Sequence, residues 1–245
     1  MDKSFVEDGS IADYQQLMHE IYDLPGDRNF SMSDILAQQQ RFTMRALKGI
    51  RKGDLRRLRL NLLDAFSWSM TVVNRMHFNI EEILWRRFPY LCSYCGACPC
   101  VCKIQKPSHR LEPPINESKR PPTLRDFQKM FSEIYPGSGR TLADAGVHWA
   151  EETGEMSEAI HAYIHEHRPE QLKNIAAEMA DFVSCTFGVA NSAGIDVAKG
   201  LAELFYKNCL ACHHLPCTCP VEYINKFDFE KLPEFAPVQE QTAIQ

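Results

Sequence analysis

Glu151-Glu152-Thr153-Gly154-Glu155, answered further on by Glu178-Met179-Ala180-Asp181, decides how this chain is read. In an α-helix Glu151, Glu152 and Glu155 fall within roughly a 100° arc, and Glu178 and Asp181 lie about 60° apart, so each set shares one face. His167-Arg168-Pro169 interrupts the helical pattern between them, because proline cannot continue a helix through its missing N–H. The first arm runs about 18 Å from Glu155 to the break and the second returns roughly 15 Å to Glu178, at ~1.5 Å per residue. The spacing predicts a helical hairpin whose two acidic faces oppose each other.

Ile175, Met179, Phe182, Val183 and Phe187 make the second helix apolar beside its acids. Carboxylates crowded against an apolar surface either take up protons or bind a cation. Oxygen-only ligands favour Mg²⁺ or Mn²⁺ over zinc. Taken alone, the first motif is equally well a solvated acidic face.

Together the two motifs, Glu-Glu-x-x-Glu and Glu-x-x-Asp, resemble the MazG-like all-α nucleotide pyrophosphohydrolase superfamily, which includes dimeric dUTPases and dCTPases. The resemblance covers most of residues 124–208 and takes in Met130 to Tyr135, Gly137 to Arg140, His148 to Ile160 and Ala190-Asn191-x-x-Gly194-Ile195-Asp196. It implies hydrolysis of a nucleoside triphosphate to monophosphate and pyrophosphate. Under it Glu152, Glu155, Glu178 and Asp181 are the metal ligands, and Glu151 orients or deprotonates the attacking water or contacts a second ion. Lys207 and Asn208 stand where relatives often carry a Lys and Asn near the phosphates; a helix-end lysine snorkelling into solvent is the competing reading. Trp149 either stacks on a base or fills the core.

The chain carries a second copy of this pattern. Asp13-Tyr14-Gln15-Gln16-Leu17-Met18-His19-Glu20-Ile21-Tyr22 mirrors Asp126-Phe127-Gln128-Lys129-Met130-Phe131-Ser132-Glu133-Ile134-Tyr135. The register continues through Arg28 on Arg140 and Met44 on Met156, and resumes with Asn61-Leu62-Leu63-Asp64 on Glu178-Met179-Ala180-Asp181, Asn74 on Asn191 and Phe88 on Phe205. In this alignment Gln39, Gln40 and Thr43 replace Glu151, Glu152 and Glu155, Asn61 replaces Glu178, and only Asp64 survives. Amides and a hydroxyl cannot neutralise a divalent cation, so no productive metal site is expected in the first copy.

The expected fold is therefore all-α: two tandem helical units forming a pseudo-dimeric bundle, with homodimerisation of the whole chain left open. Helices are predicted near 11–22, 32–51, 54–76 and 79–89, and again near 124–135, 141–167, 170–193 and 195–208. Residues 1–102 form the degenerate unit and 124–220 the catalytic one. Residues 103–123, with Pro107, Pro113, Pro114, Pro121 and Pro122, read as an extended tether, and 221–245 as a poorly ordered tail.

Cys92, Cys95, Cys100 and Cys102 recur at identical spacing as Cys209, Cys212, Cys217 and Cys219. Each set fits a closed four-thiolate zinc knuckle that fastens a helix end; an iron–sulfur cluster or redox thiols are the alternatives. Cys185 reads as a core residue, and His213 and His214 as bystanders to a set already complete.

At 245 residues and 44% hydrophobic content the chain can bury a large core, and its net charge of −5 argues against bulk nucleic-acid binding. No apolar run approaches a membrane span and the amino terminus lacks signal-peptide character, which points to the cytosol. One basic stretch stands out, from Arg41 to Arg59, with Arg45, Lys48, Arg51, Lys52, Arg56 and Arg57 between. It either steers triphosphate or is a solvated face. The competing class is a non-catalytic, zinc-stapled scaffold that senses nucleotides or contacts nucleic acid through that face. The crowded acids of the second copy weigh against it.

Overall fold

The computed structural model describes residues 3–137 and 140–229, and every regular element among them is helical. In order these are α1 (Ile11–Met18), a π-helical turn (His19–Asp23), α2 (Leu24–Asn29), α3 (Met32–Lys52), α4 (Leu55–Arg75), α5 (Ile80–Arg87), a 3₁₀ turn (Glu117–Lys119), α6 (Leu124–Ile134), α7 (Leu142–Glu166), α8 (Gln171–Ala193), α9 (Val197–Leu204) and α10 (Val221–Asn225). The all-α class read from the sequence is the observed one. No described helix is long and apolar enough to cross a membrane.

Two hairpins form the centre: α3 lies along α4 and α7 along α8, and they meet where α3 packs on α7 and α4 on α8. Both long leading helices start at a capping box, Ser31 with Asp34 and Thr141 with Asp144, which satisfies the otherwise orphaned first-turn donors. Both end on a left-handed residue, Gly53 for α3 and His167 for α7, so the expected break before Pro169 is where α7 stops. The α3–α4 turn is tight because Gly49 has no side chain: a Cβ there would stand 2.6 Å from Leu58 N. One core runs through both hairpins, with Phe66 against Phe187 at 6.0 Å between ring centres.

The repeat seen in sequence recurs in the hydrogen bonds. Gln15 of α1 donates to Asn74 Oδ1 at 2.9 Å and Phe78 O at 2.7 Å and accepts from Ile80 N at 3.1 Å. Gln128 of α6 donates to Asn191 Oδ1 at 2.9 Å and Ile195 O at 2.7 Å and accepts from Val197 N at 3.0 Å. The cysteine loops cross over. Cys100 N donates to Ile134 O and Cys217 N to Ile21 O, each at 2.8 Å. Tyr135 reaches Cys92 Sγ and Tyr22 reaches Cys209 Sγ, each at 3.5 Å. Each loop, closing one unit, is thus seated on the first helical segment of the other.

Three sequence expectations change. First, the caps set a different register for α3 and α7. Counted from Ser31 and Thr141, Arg41 falls on Glu151, Phe42 on Glu152 and Arg45 on Glu155, two residues away from the Gln39, Gln40 and Thr43 alignment. The hydroxyls of Thr43 and Thr153, which bond back to Gln39 O and Trp149 O, agree with the cap count. Second, the tether of residues 103–123 makes contacts that the sequence did not announce. Arg120 bonds Glu82 and Glu81, and Leu111 N donates to Tyr94 O. Third, the tail is folded as far as residue 229: α10 follows the second cysteine loop, and Phe227 and Phe229 pack on Phe42, each at 6.3 Å. Residues 230–245, including the Gln-rich end, lie outside the described residues.

Candidate active site and two cysteine clusters

The hairpin of α7 and α8 brings Glu152, Glu178 and Asp181 together, each offering a carboxylate oxygen within 4.8 Å of the others. Glu152 and Asp181 are each 8% exposed. Glu152 Oε1 accepts from His148 Nε2 at 3.0 Å, while Glu152 Oε2 is buried with no hydrogen-bond partner. An unsatisfied buried carboxylate oxygen is costly until a proton or a cation meets it. Burial, and then the charges of Asp181 and Glu155, push the Glu178 carboxyl above its ordinary range; Glu155 is raised by burial and by Glu152. The set is all hard oxygen, and its three carboxylates could hold a metal ion.

The other two predicted acids sit at the edge. Glu151 and Glu155 are exposed and fall outside the group of three.

Sequence reading missed the partners of these acids. Arg87, the last residue of α5, donates from Nε to Asp181 Oδ1 at 2.7 Å and from Nη2 to Oδ2, a forked pair. Arg110, in the segment joining the units, adds a contact of 3.4 Å to Oδ2. The first unit therefore supplies a cation to the acids of the second. The signal was an asymmetry in the repeat: in the register of Phe88 on Phe205, Arg87 stands where the second copy has Leu204. His148 was missed too. Arg140 Nη2 lies 2.5 Å from its Nδ1, which leaves the ring proton on Nε2, aimed at Glu152. Cys185 is a core residue, as expected, with its thiol 3.4 Å from His148 Nδ1.

The remaining predicted contacts are not at these acids. Trp149 is fully buried, with Nε1 donating to Thr186 Oγ1 at 2.9 Å and its ring against Phe182, so it is core and offers no face to a base. Asn208 is 4% exposed and committed: it accepts from Lys3 N at 2.9 Å and donates to His213 O at 3.1 Å. It adjoins Cys209, which lines the cavity around Asp64 in the first unit. Exposed Lys207 belongs to the same corner, its carbonyl 3.3 Å from His213 Nδ1. The crossing-over of the cysteine loops carries this corner to the first unit.

The counterpart site has inverted chemistry. Asp64, 4% exposed, is accompanied by Arg41, Phe42, Arg45 and Asn61 in place of the acids. Burial pushes its carboxyl up to about 7, against the pull of Arg41 and Arg45. It borders a cavity of about 80 Å³ walled by Phe30, Phe42, Trp68 and Phe227.

In each cysteine set four sulfurs lie within 4.8 Å of one another. Cys92–Cys102 measures 3.8 Å, and Cys95–Cys100, Cys209–Cys219 and Cys212–Cys217 each 3.9 Å. These are no disulfides. A tetrahedron with zinc–sulfur bonds of about 2.3 Å has edges of about 3.8 Å, so both sets could hold zinc. Backbone N–H groups of Tyr94 and Cys102, and of Ala211 and Cys219, point at sulfurs from 3.4–3.5 Å, as they would at thiolates. His213 and His214 belong to neither set.

No family model, curated protein or solved structure matches the chain. The functional reading rests on the residues themselves.

Proposed function

We propose that this chain is a divalent-cation-dependent nucleoside triphosphate pyrophosphohydrolase, turning a ribo- or deoxynucleoside triphosphate into monophosphate and pyrophosphate at the α7–α8 site. The observation that carries the reading is the buried, unpartnered Glu152 Oε2 among three converging carboxylates. The resemblance of the two acidic motifs to the MazG-like superfamily supports it.

Glu152, Glu178 and Asp181, with Glu155 one turn on from Glu152, hold the Mg²⁺ or Mn²⁺. When bound, the ion supplies the charge that lets triphosphate oxygens approach these acids and offsets charge developing on them. His148 keeps Glu152 aimed by donating to its other oxygen. Glu151 orients or deprotonates the attacking water at the open edge. Arg87 fixes Asp181 and keeps guanidinium N–H groups beside the phosphates' approach. The first unit serves as an intramolecular dimer partner, and two structural zinc ions clasp the pair.

The test is pyrophosphate release from a panel of ribo- and deoxynucleoside triphosphates with Mg²⁺ or Mn²⁺. Glu152→Gln should lower the rate by about 10²-fold or more, since a neutral amide cannot replace the ligand. Asp64→Asn should leave it unchanged. Absence of release from every nucleotide, with folded and zinc-loaded protein, would sink the hydrolase and leave a nucleotide-binding scaffold.

A further inference from the structure

Four cationic side chains, Arg45, Lys48, Arg56 and Arg57, line a cavity of about 150 Å³ at the start of α4. They face two carboxylates, Asp54 and Asp228. Asp54 is occupied as the N-cap of α4, accepting from Arg57 N at 2.9 Å, and the first turn of this 21-residue helix adds backbone N–H groups to the same place.

The cap register gives this cluster its meaning. Arg41 and Arg45 occupy the helix positions that hold Glu151 and Glu155 in the second unit, and Asn61 that of Glu178. Where the second unit presents carboxylates, which need a cation before any phosphate can approach, the first presents guanidinium groups, which need none.

The present occupants are themselves acceptors. Arg41 bonds Ile224 O at 3.2 Å and Asn225 O; Arg45 bonds Phe227 O at 3.0 Å and lies 3.7 Å from Asp228 Oδ1. Arg41 Nε is buried without an acceptor. The end of α10 and the segment after it thus lay carbonyls and one carboxylate across the arginines.

We infer that the first unit is a metal-independent binding site for a phosphate-bearing anion, seated on Arg45, Lys48, Arg56 and Arg57, with Asp228 as its built-in competitor. This stands apart from whether the Glu152 cluster hydrolyses anything.

Calorimetric titration of inorganic pyrophosphate and of a nucleoside triphosphate into the full, zinc-loaded chain, with no Mg²⁺ or Mn²⁺ added and in the Glu152→Gln background, tests it. Binding should persist there with one site per chain. The double substitution Lys48→Gln, Arg56→Gln removes two exposed cations that support no core and should weaken binding about tenfold or more with an unchanged thermal midpoint. Asp228→Asn should tighten it about threefold. Tighter binding of pyrophosphate than of the nucleotide would mark the free anion as the ligand, and the reverse order the nucleotide-borne phosphate. Loss of all binding when Mg²⁺ and Mn²⁺ are withheld, or binding equal in wild type and the double variant, overturns the inference. So does capture of a single-stranded oligonucleotide with neither small anion bound, which would make the face a nucleic-acid surface.

Discussion

At Asp181 a guanidinium stands on a carboxylate that belongs to a cluster of three, so the net charge of that cluster depends on a residue 94 positions away in sequence. Arg87→Met keeps much of the side chain's bulk and removes its charge. Without added Mg²⁺ this should cost about 2 kcal/mol, the lower end for breaking a largely buried pair, or about 4–8 °C in thermal midpoint for a chain of this size. Added Mg²⁺ should recover most of the loss. An equal deficit with and without the ion would show that the acids do not take up a cation. Asp64 gives the opposite charge problem. Its folded pKa of about 7 stands above the ordinary 3.8, so between these values the folded chain keeps a proton that the unfolded chain has released. Its contribution is complete below about pH 4, declines as pH rises toward 7, and has then cost up to about 4 kcal/mol. Asp64→Asn should therefore stabilise the protein more at pH 8 than at pH 5, read from urea midpoints at the two values. A gap that does not widen with pH would mean that Asp64 titrates normally.

At the scale of elements, the hairpins are fixed by caps, turns and one close approach. Gly49→Ala drives a methyl into the backbone at Leu58 and should lower stability by about 2 kcal/mol, seen as a shifted urea midpoint with unchanged slope. Much at this scale was legible. Ser31 and Thr141 with their acidic partners announce helix starts, Pro169 announces the turn, and the Gln15 and Gln128 segments announce a repeat that their hydrogen bonds repeat in turn. The acids Glu152, Glu178 and Asp181 were legible because periodicity puts each set on one face. What escaped was set across the chain. Matching residue types can be slid by two positions when a loop absorbs the gap, and only the caps fix which residue replaces Glu152. Once Phe42 is known to stand there, the docking of Phe227 and Phe229 follows, since an aromatic in the old acid position offers an apolar seat. Arg87 and Arg110 escaped for the same reason: their partner lies on another unit, and the trace in the sequence is Arg87 standing where the repeat has Leu204.

At the scale of the molecule, the cysteine loops join the units. Elemental analysis should find two zinc ions per chain and one in Cys95→Ser, and a strong chelator should remove both with a drop in thermal midpoint. Without metal the sulfurs oppose one another: hydrogen bonding with Cys209 pushes Cys217 up to about 12, so full ionisation of the set requires a bound cation. Absence of zinc with an intact fold would refute the knuckle reading.

The crossing-over of the loops also bears on how such a chain can change over generations. A repeat that lacks the acids of its partner is ordinarily free to vary. Here the first copy contributes the guanidinium on Asp181 and the sulfur loop under Tyr135. Deleting it would strip the second copy of both. The first copy is therefore tied to the second by these contacts, while its positions matching Glu151, Glu152 and Glu155 carry arginine and phenylalanine.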